Sequence, residues 1–346
     1  MPFRTVHLDD KYSLEEGQIF ITGVQALARL PLMQRRRDLA QGLNTAGFIS
    51  GYRGSPLGGY DQTLWKAQKF LDENDITFVP GLNEDLGATA VWGSQQTGLF
   101  KGGRVQGVFS IWYGKGPGVD RCGDVFKHAN MAGTSPYGGV LVLAGDDHAC
   151  KSSTLPHQSE YAFIDASIPV LVPSNVQDVL DLGLYGWALS RYSGCWVAFK
   201  VIADTVDTSA SVTVSSQRAQ ILLPENFQMP EGGLHIRWPD PPLEQERRLR
   251  LYKLEAAKAF VKANRLDKTF LRGRKPRLGL VTCGKTFHDV RQAIEDLGLS
   301  EAEAADLGIS IYKVAMSWPL EPTSLKTFAE DLEEILVIEE KRSEEH

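Results

Sequence analysis

The sequence predicts an α/β protein built on a parallel sheet with helices on both faces. Short apolar, β-branched runs alternate with helical patterns through the first 215 residues, the pattern of βαβ units in a sheet covered on both sides. The chain of 346 residues is long enough for two domains or a little more, each with a sizeable core.

In order, the strand candidates are Ala46–Gly51, Thr77–Val79, Val105–Trp112, Gly139–Ala144, Val170–Val172 and Cys195–Val201. Helical patterns lie between them at Leu57–Asp72, Glu84–Phe100, Asp120–Met131 and Val176–Tyr192. Residues 1–215 are therefore expected to form one domain. Residues 216–275 break the rhythm: Pro224, Pro230, Pro239, Pro241 and Pro242 mark a connector. A charged helix follows, and Glu244 to Arg277 carries twelve Lys/Arg against four Asp/Glu. A solvated face explains this excess first, and a docking surface for another subunit is the sharper reading. From 276 to 346 a second α/β unit begins, with strands at Leu278–Thr282, Ser310–Ala315 and Ile335–Ile338 and a helix from Thr286 to Leu297. Its last strand reads as buried yet lies close to the end of the sequence, so this unit is expected to be cut short.

Composition excludes several classes. A net charge of −6 and a pI near 5.7 argue against nucleic acid as the main partner. Cys122, Cys150, Cys195 and Cys283 are scattered, with no C-x-x-C pair, so no zinc or iron–sulfur site is legible. The start, MPFRTVHLDDKY, has early acids and no apolar core, unlike a secretory signal. No run approaches a membrane span, so the cytoplasm is the expected location.

Four segments at strand ends carry possible chemistry. In GLNEDLGATAVWGSQQTG, residues 81–98, Asn83 suits a helix N-cap and Glu84 and Asp85 suit the first turn. Helix-start chemistry alone accounts for both acids. The functional alternative makes Glu84 a buried acid bonded to a ligand nitrogen, with Gly87, Ala88 and Ala90 letting the helix start approach a flat ring. In GYRGSPLGGYD, residues 51–61, the glycines permit close backbone approach. Ser55 is expected to cap the next helix, with Pro56 in its first turn. YGKGPGVDR, residues 113–121, is a glycine-rich turn that fails G-x-G-x-x-G, because Val119 and Arg121 stand where glycines are needed. AGDDHACKSSTLPHQSEY, residues 144–161, holds Asp146, Asp147, His148, Cys150 and His157. A metal cluster is conceivable there, but a polar loop at a strand's carboxyl end, where α/β ligand sites gather, is the preferred reading.

GLVTCGKT, residues 279–286, fits the phosphate-loop pattern G-x-x-x-x-G-K-[ST] letter for letter. The physics is poor, since Leu280, Val281 and Thr282 read as the strand itself and leave only Cys283, Gly284 and Lys285 for a turn.

The ordered set GYRGSP, NEDLGA, GKGPG and AGDDHACKSS resembles the pyrimidine-binding domain of the 2-oxoacid:ferredoxin oxidoreductases, and within them the indolepyruvate type. The resemblance runs from about residue 15 to 343. It implies a thiamine diphosphate-binding, pyrimidine-type domain followed by a partial Rossmann-like domain of the transketolase C-terminal type, whose start is KPRLGLVTCGKTFHDVRQAIEDLGL.

By that resemblance Glu84 is the acid that contacts N1′ of the aminopyrimidine and favours the tautomer able to deprotonate the thiazolium carbon. Ser55 stands where the family's Y-P-I-T-P turn has threonine, although Arg53 and Gly54 depart from that turn. Gly116, Pro117 and Gly118 match the family's S-G-P-G turn near the cofactor, with Lys115 in place of serine. Arg53, Ser55 and Lys115 are the candidates for substrate contact.

The implied reaction is oxidative decarboxylation of a 2-oxoacid, an arylpyruvate such as indolepyruvate, to acyl-coenzyme A with electrons passing to ferredoxin. Mg2+ and [4Fe–4S] clusters are expected outside this chain, because the family's G-D-G motif and cluster cysteines are absent. The pyrophosphate-binding domain is expected in the rest of a longer chain or in a partner, and a homodimer is expected because such sites form between protomers. Two alternatives stay open: a non-oxidative thiamine diphosphate enzyme of the transketolase or decarboxylase type, and a non-catalytic assembly module. A phosphate-loop NTPase is a more distant one.

Overall fold

The computed structural model describes residues 5–152 and 155–341. Residues 1–4 of the start, Ser153 and Thr154 of the fourth motif and residues 342–346 lie outside the described residues. The strands are β1 (Gly17–Thr22), β2 (Thr45–Gly51), β3 (Ile76–Phe78), β4 (Gly107–Lys115), β5 (Val140–Asp146), β6 (Val170–Leu171), β7 (Val197–Ile202), β8 (Ser209–Val214), β9 (Lys268–Leu271), β10 (Leu278–Cys283), β11 (Ile309–Val314), β12 (Met316–Trp318) and β13 (Glu334–Ile338).

Seven of them form the central sheet in the order β12-β6-β7-β5-β4-β2-β3. All neighbours run parallel except β12 on β6. Its central strands bury both faces because their residues alternate sides. On β4, Phe109, Ile111 and Tyr113 join one core with the helices Gly23–Ala40 and Val176–Ser193, while Trp112 joins the other with Glu84–Ser94 and Gly123–Ala132. Phe109 meets Trp187 edge-on at 5.3 Å on the first side, and Trp112 meets Phe126 at 5.0 Å on the second.

The strand order places a switch point between β2 and β4, since β2 leads outward to β3 and β4 leads the other way to β5. Ligand crevices in open α/β sheets lie at the carboxyl ends there.

The mixed α/β fold with mostly parallel strands is the one expected, but several elements differ. The antiparallel pair β1–β8 and the helix Gly23–Ala40 were not legible. Pro31 lies inside that helix and reads as a breaker. The helix expected from Leu57 begins at Tyr60, capped by Gly59 without a side-chain bond, so Ser55 is not its cap. The helix expected over Glu84–Phe100 stops at Ser94. Residues 116–118 are the first turn of a helix, Gly116–Arg121, not a loop, and a second helix, Gly123–Ala132, follows.

In the charged segment, helix ends at Asn264 after a π-helical turn at Leu249–Lys253, and β9 follows.

The second sheet has the order β13-β10-β11-β9, with β9 antiparallel to β11. β13 occupies its edge and Ile335, Leu336 and Val337 are exposed, which corrects the expectation of a buried strand. After β11 the chain crosses at Ala315 and places β12 in the central sheet. Buried Asp267 holds that crossing by accepting from the amides of Ala315 (2.7 Å) and Met316 (3.1 Å). Burial pushes its carboxyl up to about 6.

Candidate functional site

Three strand ends converge at the switch point. Gly51 closes β2 beside Tyr113, whose carbonyl oxygen would lie 2.0 Å from a Cβ on Gly51. Gly87, in the first turns of the Glu84–Ser94 helix, would place a Cβ 2.9 Å from the Cα of Gly51. These two glycines let the helix start seat directly against the end of β2. The amide of Gly81 donates to the carbonyl of Gly51 (2.8 Å), and Asn83 caps the helix by accepting from the amide of Leu86 (2.9 Å). The indole of Trp112 on β4 donates to the carbonyl of Glu84 (3.0 Å).

The side chain of Glu84 is 13 % exposed. Among the described residues its charged partner is Arg121, at 3.8 Å. Gly118 packs on it from the next helix, where a Cβ would lie 2.6 Å from Cγ of Glu84. Glu84, Gly116, Pro117 and Gly118 are therefore brought together. The turn holding Arg53 and Ser55 reaches the same edge through Lys115, whose side chain lies 2.8 Å from a Cβ built on Gly54. Arg53 is exposed, and Ser55 and Lys115 are half-buried.

A charged cluster stands beside this edge, of which the sequence showed Asp146, His148 and His157 but not Lys200 and Glu340. Asp146, at the end of β5, is fully buried and accepts from the amide (2.8 Å) and hydroxyl (2.5 Å) of Ser159. His157 bridges Asp146 through Nδ1 (3.4 Å) and Asp120 through Nε2 (2.8 Å). Behind Asp146, the side chain of Lys200, 4 % exposed, pairs with Glu160 and with Glu340 (3.1 Å).

The bonds from Asp146 and then Asp120 outweigh burial and raise His157 to about 9. Burial works to discharge Lys200, but Glu160, Glu340 and Asp146 overcome it and keep the ammonium charged. Burial and the charge of Lys200 lower His148. The missed signal was Lys200 itself, the one cation in the buried strand VAFKVI, where a lysine must be paired. The preferred reading of residues 144–161 as a polar strand-end loop fits this arrangement. No group of three or more possible metal ligands occurs among the described residues.

The phosphate-loop pattern does not build a phosphate loop. Gly279 lies within β10, against Leu332 and Phe328. The amide of Lys285 donates to Glu340 (2.7 Å) and its ammonium binds Asp289 (2.6 Å).

Residues 268–344 match the family model described as the indolepyruvate oxidoreductase domain. The chain is 25% identical over 336 residues to indolepyruvate oxidoreductase subunit IorA of Methanothermobacter thermautotrophicus, covering 97% of this chain and 49% of that protein. It is 22% identical over 342 residues to the same subunit of Archaeoglobus fulgidus, covering 96% and 48%. Along nearly its whole length this chain is similar in sequence to subunit IorA of the indolepyruvate oxidoreductases.

The chain spans about half the length of these relatives. Its fold is shared with a 2-oxoglutarate:ferredoxin oxidoreductase from Magnetococcus marinus (TM-score 0.66, 16% identity, 93% of this chain and 58% of that one). That structure holds 2-oxoglutarate, coenzyme A and succinyl-CoA. A transketolase from Campylobacter jejuni is a more distant fold relative (TM-score 0.52, 11% identity, 98% and 44%). The family resemblance drawn from the motifs is thus borne out along nearly the whole chain. No helix among the described residues is long and apolar enough to cross a membrane.

Proposed function

We propose that this chain is the cofactor-activating part of a thiamine diphosphate-dependent 2-oxoacid:ferredoxin oxidoreductase of the indolepyruvate type. The observation that carries the reading is Glu84: a largely covered carboxylate at a helix start, at the switch point of a parallel sheet, beside a glycine that leaves it room. When bound, thiamine diphosphate supplies the nucleophilic carbon and the electron sink that decarboxylation of a 2-oxoacid requires.

The residues present fit the pyrimidine end of that group. Gly118 has no side chain, so Glu84 packs against its backbone and would be held in a fixed position toward a flat ring. Glu84 would hold or release a proton at its carboxylate against a ring nitrogen, a task for a positioned acid. Arg121 would orient that carboxylate from its other side. Lys115 and Ser55, on the adjoining turns, would face the substrate, with Arg53 at the rim. Mg2+ and [4Fe–4S] fit no site among the described residues, so the proposal assigns them, with the pyrophosphate-binding domain, to a partner or to the half of the relatives' length not matched here.

Coenzyme A and ferredoxin are the proposed co-substrates, and a homodimer the proposed assembly. The proposed divisions are 1–215, 216–275 and 276–346, with β9 of the connector joining the second sheet and β12 returning to the first.

The test is co-expression with that complementary half, followed by calorimetric titration with thiamine diphosphate and Mg2+ and an assay of indolepyruvate-dependent reduction of a viologen dye. Wild type and Glu84→Gln should both bind. Dye reduction should fall in the variant by roughly 10²–10⁴-fold, the range of a positioned acid. Absence of binding by the reconstituted wild type would overturn the reading in favour of an assembly module.

A further inference from the structure

We propose that His157 is a positioning residue for Glu84: its ring ties Asp120 to Asp146 and so holds the helix Gly116–Arg121 where Gly118 and Arg121 meet the Glu84 carboxylate. The proposal rests on the role given to Glu84 above.

The helix Gly116–Arg121 is six residues long and its N-cap, Lys115, makes no side-chain cap bond. A helix this short is held by tertiary contacts rather than by its own turns. His157 supplies them at both ends. At the start, its ring covers Gly116 so closely that a Cβ there would lie 2.1 Å from Nδ1. Near the end, Nε2 binds Asp120 at 2.8 Å. A carboxylate in the last turn of a helix faces the negative end of the dipole, and the positive ring offsets it.

On its other side His157 is anchored by Asp146, which is fixed to β5 and held by Ser159. The two faces of the helix thus have different tasks: Asp120 and Gly116 meet His157, while Gly118 and Arg121 meet Glu84. A displacement at His157 therefore reaches the carboxylate through one short rigid element.

The tie requires both ring nitrogens to donate, which only the charged ring can do. The charged groups facing the ring are Asp146 from β5 and Asp120 from the helix. Lys200 from β7, Glu160, Glu340 and His148 stand behind Asp146. Because its folded pKa is raised to about 9, the stabilisation is complete below the ordinary histidine value. It is lost as pH rises through about 9. Above that, one carboxylate loses its donor.

Loss of the ring should leave the fold intact, because Asp146 keeps both bonds from Ser159. The test uses the full chain, alone and reconstituted, as wild type, His157→Gln and Asp120→Asn. Four results are expected. First, NMR titration of the His157 ring should give a midpoint near 9 in wild type and a lower one in Asp120→Asn. Second, the indole N–H resonance of Trp112, which donates to the Glu84 carbonyl, should move in His157→Gln, which stays folded with a thermal midpoint lowered by loss of the tie. Third, in the reconstituted enzyme kcat should fall roughly ten- to a hundredfold in His157→Gln, as for a misplaced group, with thiamine diphosphate affinity held. The alkaline limb of the pH profile should also shift to lower pH in Asp120→Asn.

A wild-type midpoint near 6.5, the ordinary histidine value, or an unmoved Trp112 resonance in His157→Gln, overturns the proposal. Failure of the reconstituted wild type to bind thiamine diphosphate overturns the functional reading instead. The two NMR results then still decide whether the tie exists.

Discussion

Two strand ends in this molecule look alike in sequence and differ in what they leave free. After β4 the chain reads GKGPG, and after β10 it reads CGKT. Each places glycine and lysine where a parallel strand passes into a helix. At the second, the protein has occupied its own turn: the Lys285 amide donates to Glu340, and a Cβ on Gly284 would lie 2.3 Å from that carboxylate. Glu340 is itself paired with Lys200 of the central sheet. At the first, Glu84 has an exposed arginine at 3.8 Å and a bare glycine beside it. A strand-end turn is available to a ligand when its neighbours have not satisfied it already. The turn after β10 is satisfied, and it serves to dock the second unit onto the first.

The largest effect expected from this contrast is at Lys200. Lys200→Met leaves Asp146, Glu160 and Glu340 buried without their shared cation. Removing one partner of a buried ion pair costs about 3–5 kcal/mol. Urea unfolding should show that loss, and Lys200→Met with Glu160→Leu should recover part of it. If the single variant matches wild type, the docking role of this cluster is wrong.

Gly118→Ala acts at the other turn. Alanine favours a helix over glycine by about 1 kcal/mol, so the midpoint of unfolding should hold. The new methyl would meet Cγ of Glu84 at 2.6 Å, and moving that carboxylate should lower dye reduction by roughly 10²-fold. Unchanged turnover would separate Gly118 from the site.

The sequence made the parallel sheet legible because β2, β4, β5 and β7 are apolar runs with glycine-bearing turns at their ends. Glu84 was legible for the same local reason, as an acid after an N-cap asparagine. The His157 tie was not, because Asp120, Asp146 and His157 come from three elements and their meeting is a property of the sheet order. The Glu340–Lys200 pair spans 140 residues of sequence, and only the lysine within VAFKVI hinted that a partner existed. Pro31 is a residue that local propensity disfavours inside a helix. It reads as a break, yet the helix Gly23–Ala40 continues through it, since packing of that helix on the core overrides local propensity.

The smallest effect sharpens the contrast most cheaply. In a nucleotide loop the lysine would be the residue whose loss abolishes binding. Here the Lys285 ammonium is spent on Asp289, one helical turn away, where both side chains are more than a third exposed. Such pairs contribute about 0.3–0.5 kcal/mol. Lys285→Ala should therefore lower stability by no more than that, and neither it nor wild type should bind ATP in a calorimetric titration. The amide bond to Glu340 is made by the backbone, so the alanine variant keeps it and the second unit stays docked. Glu340→Gln removes the charge that fills the turn. If ATP then bound to Glu340→Gln but not to wild type, the turn would have kept an anion site that its own carboxylate masks. If no ATP bound to either, β10 and its turn would be architecture alone, as the docking reading requires.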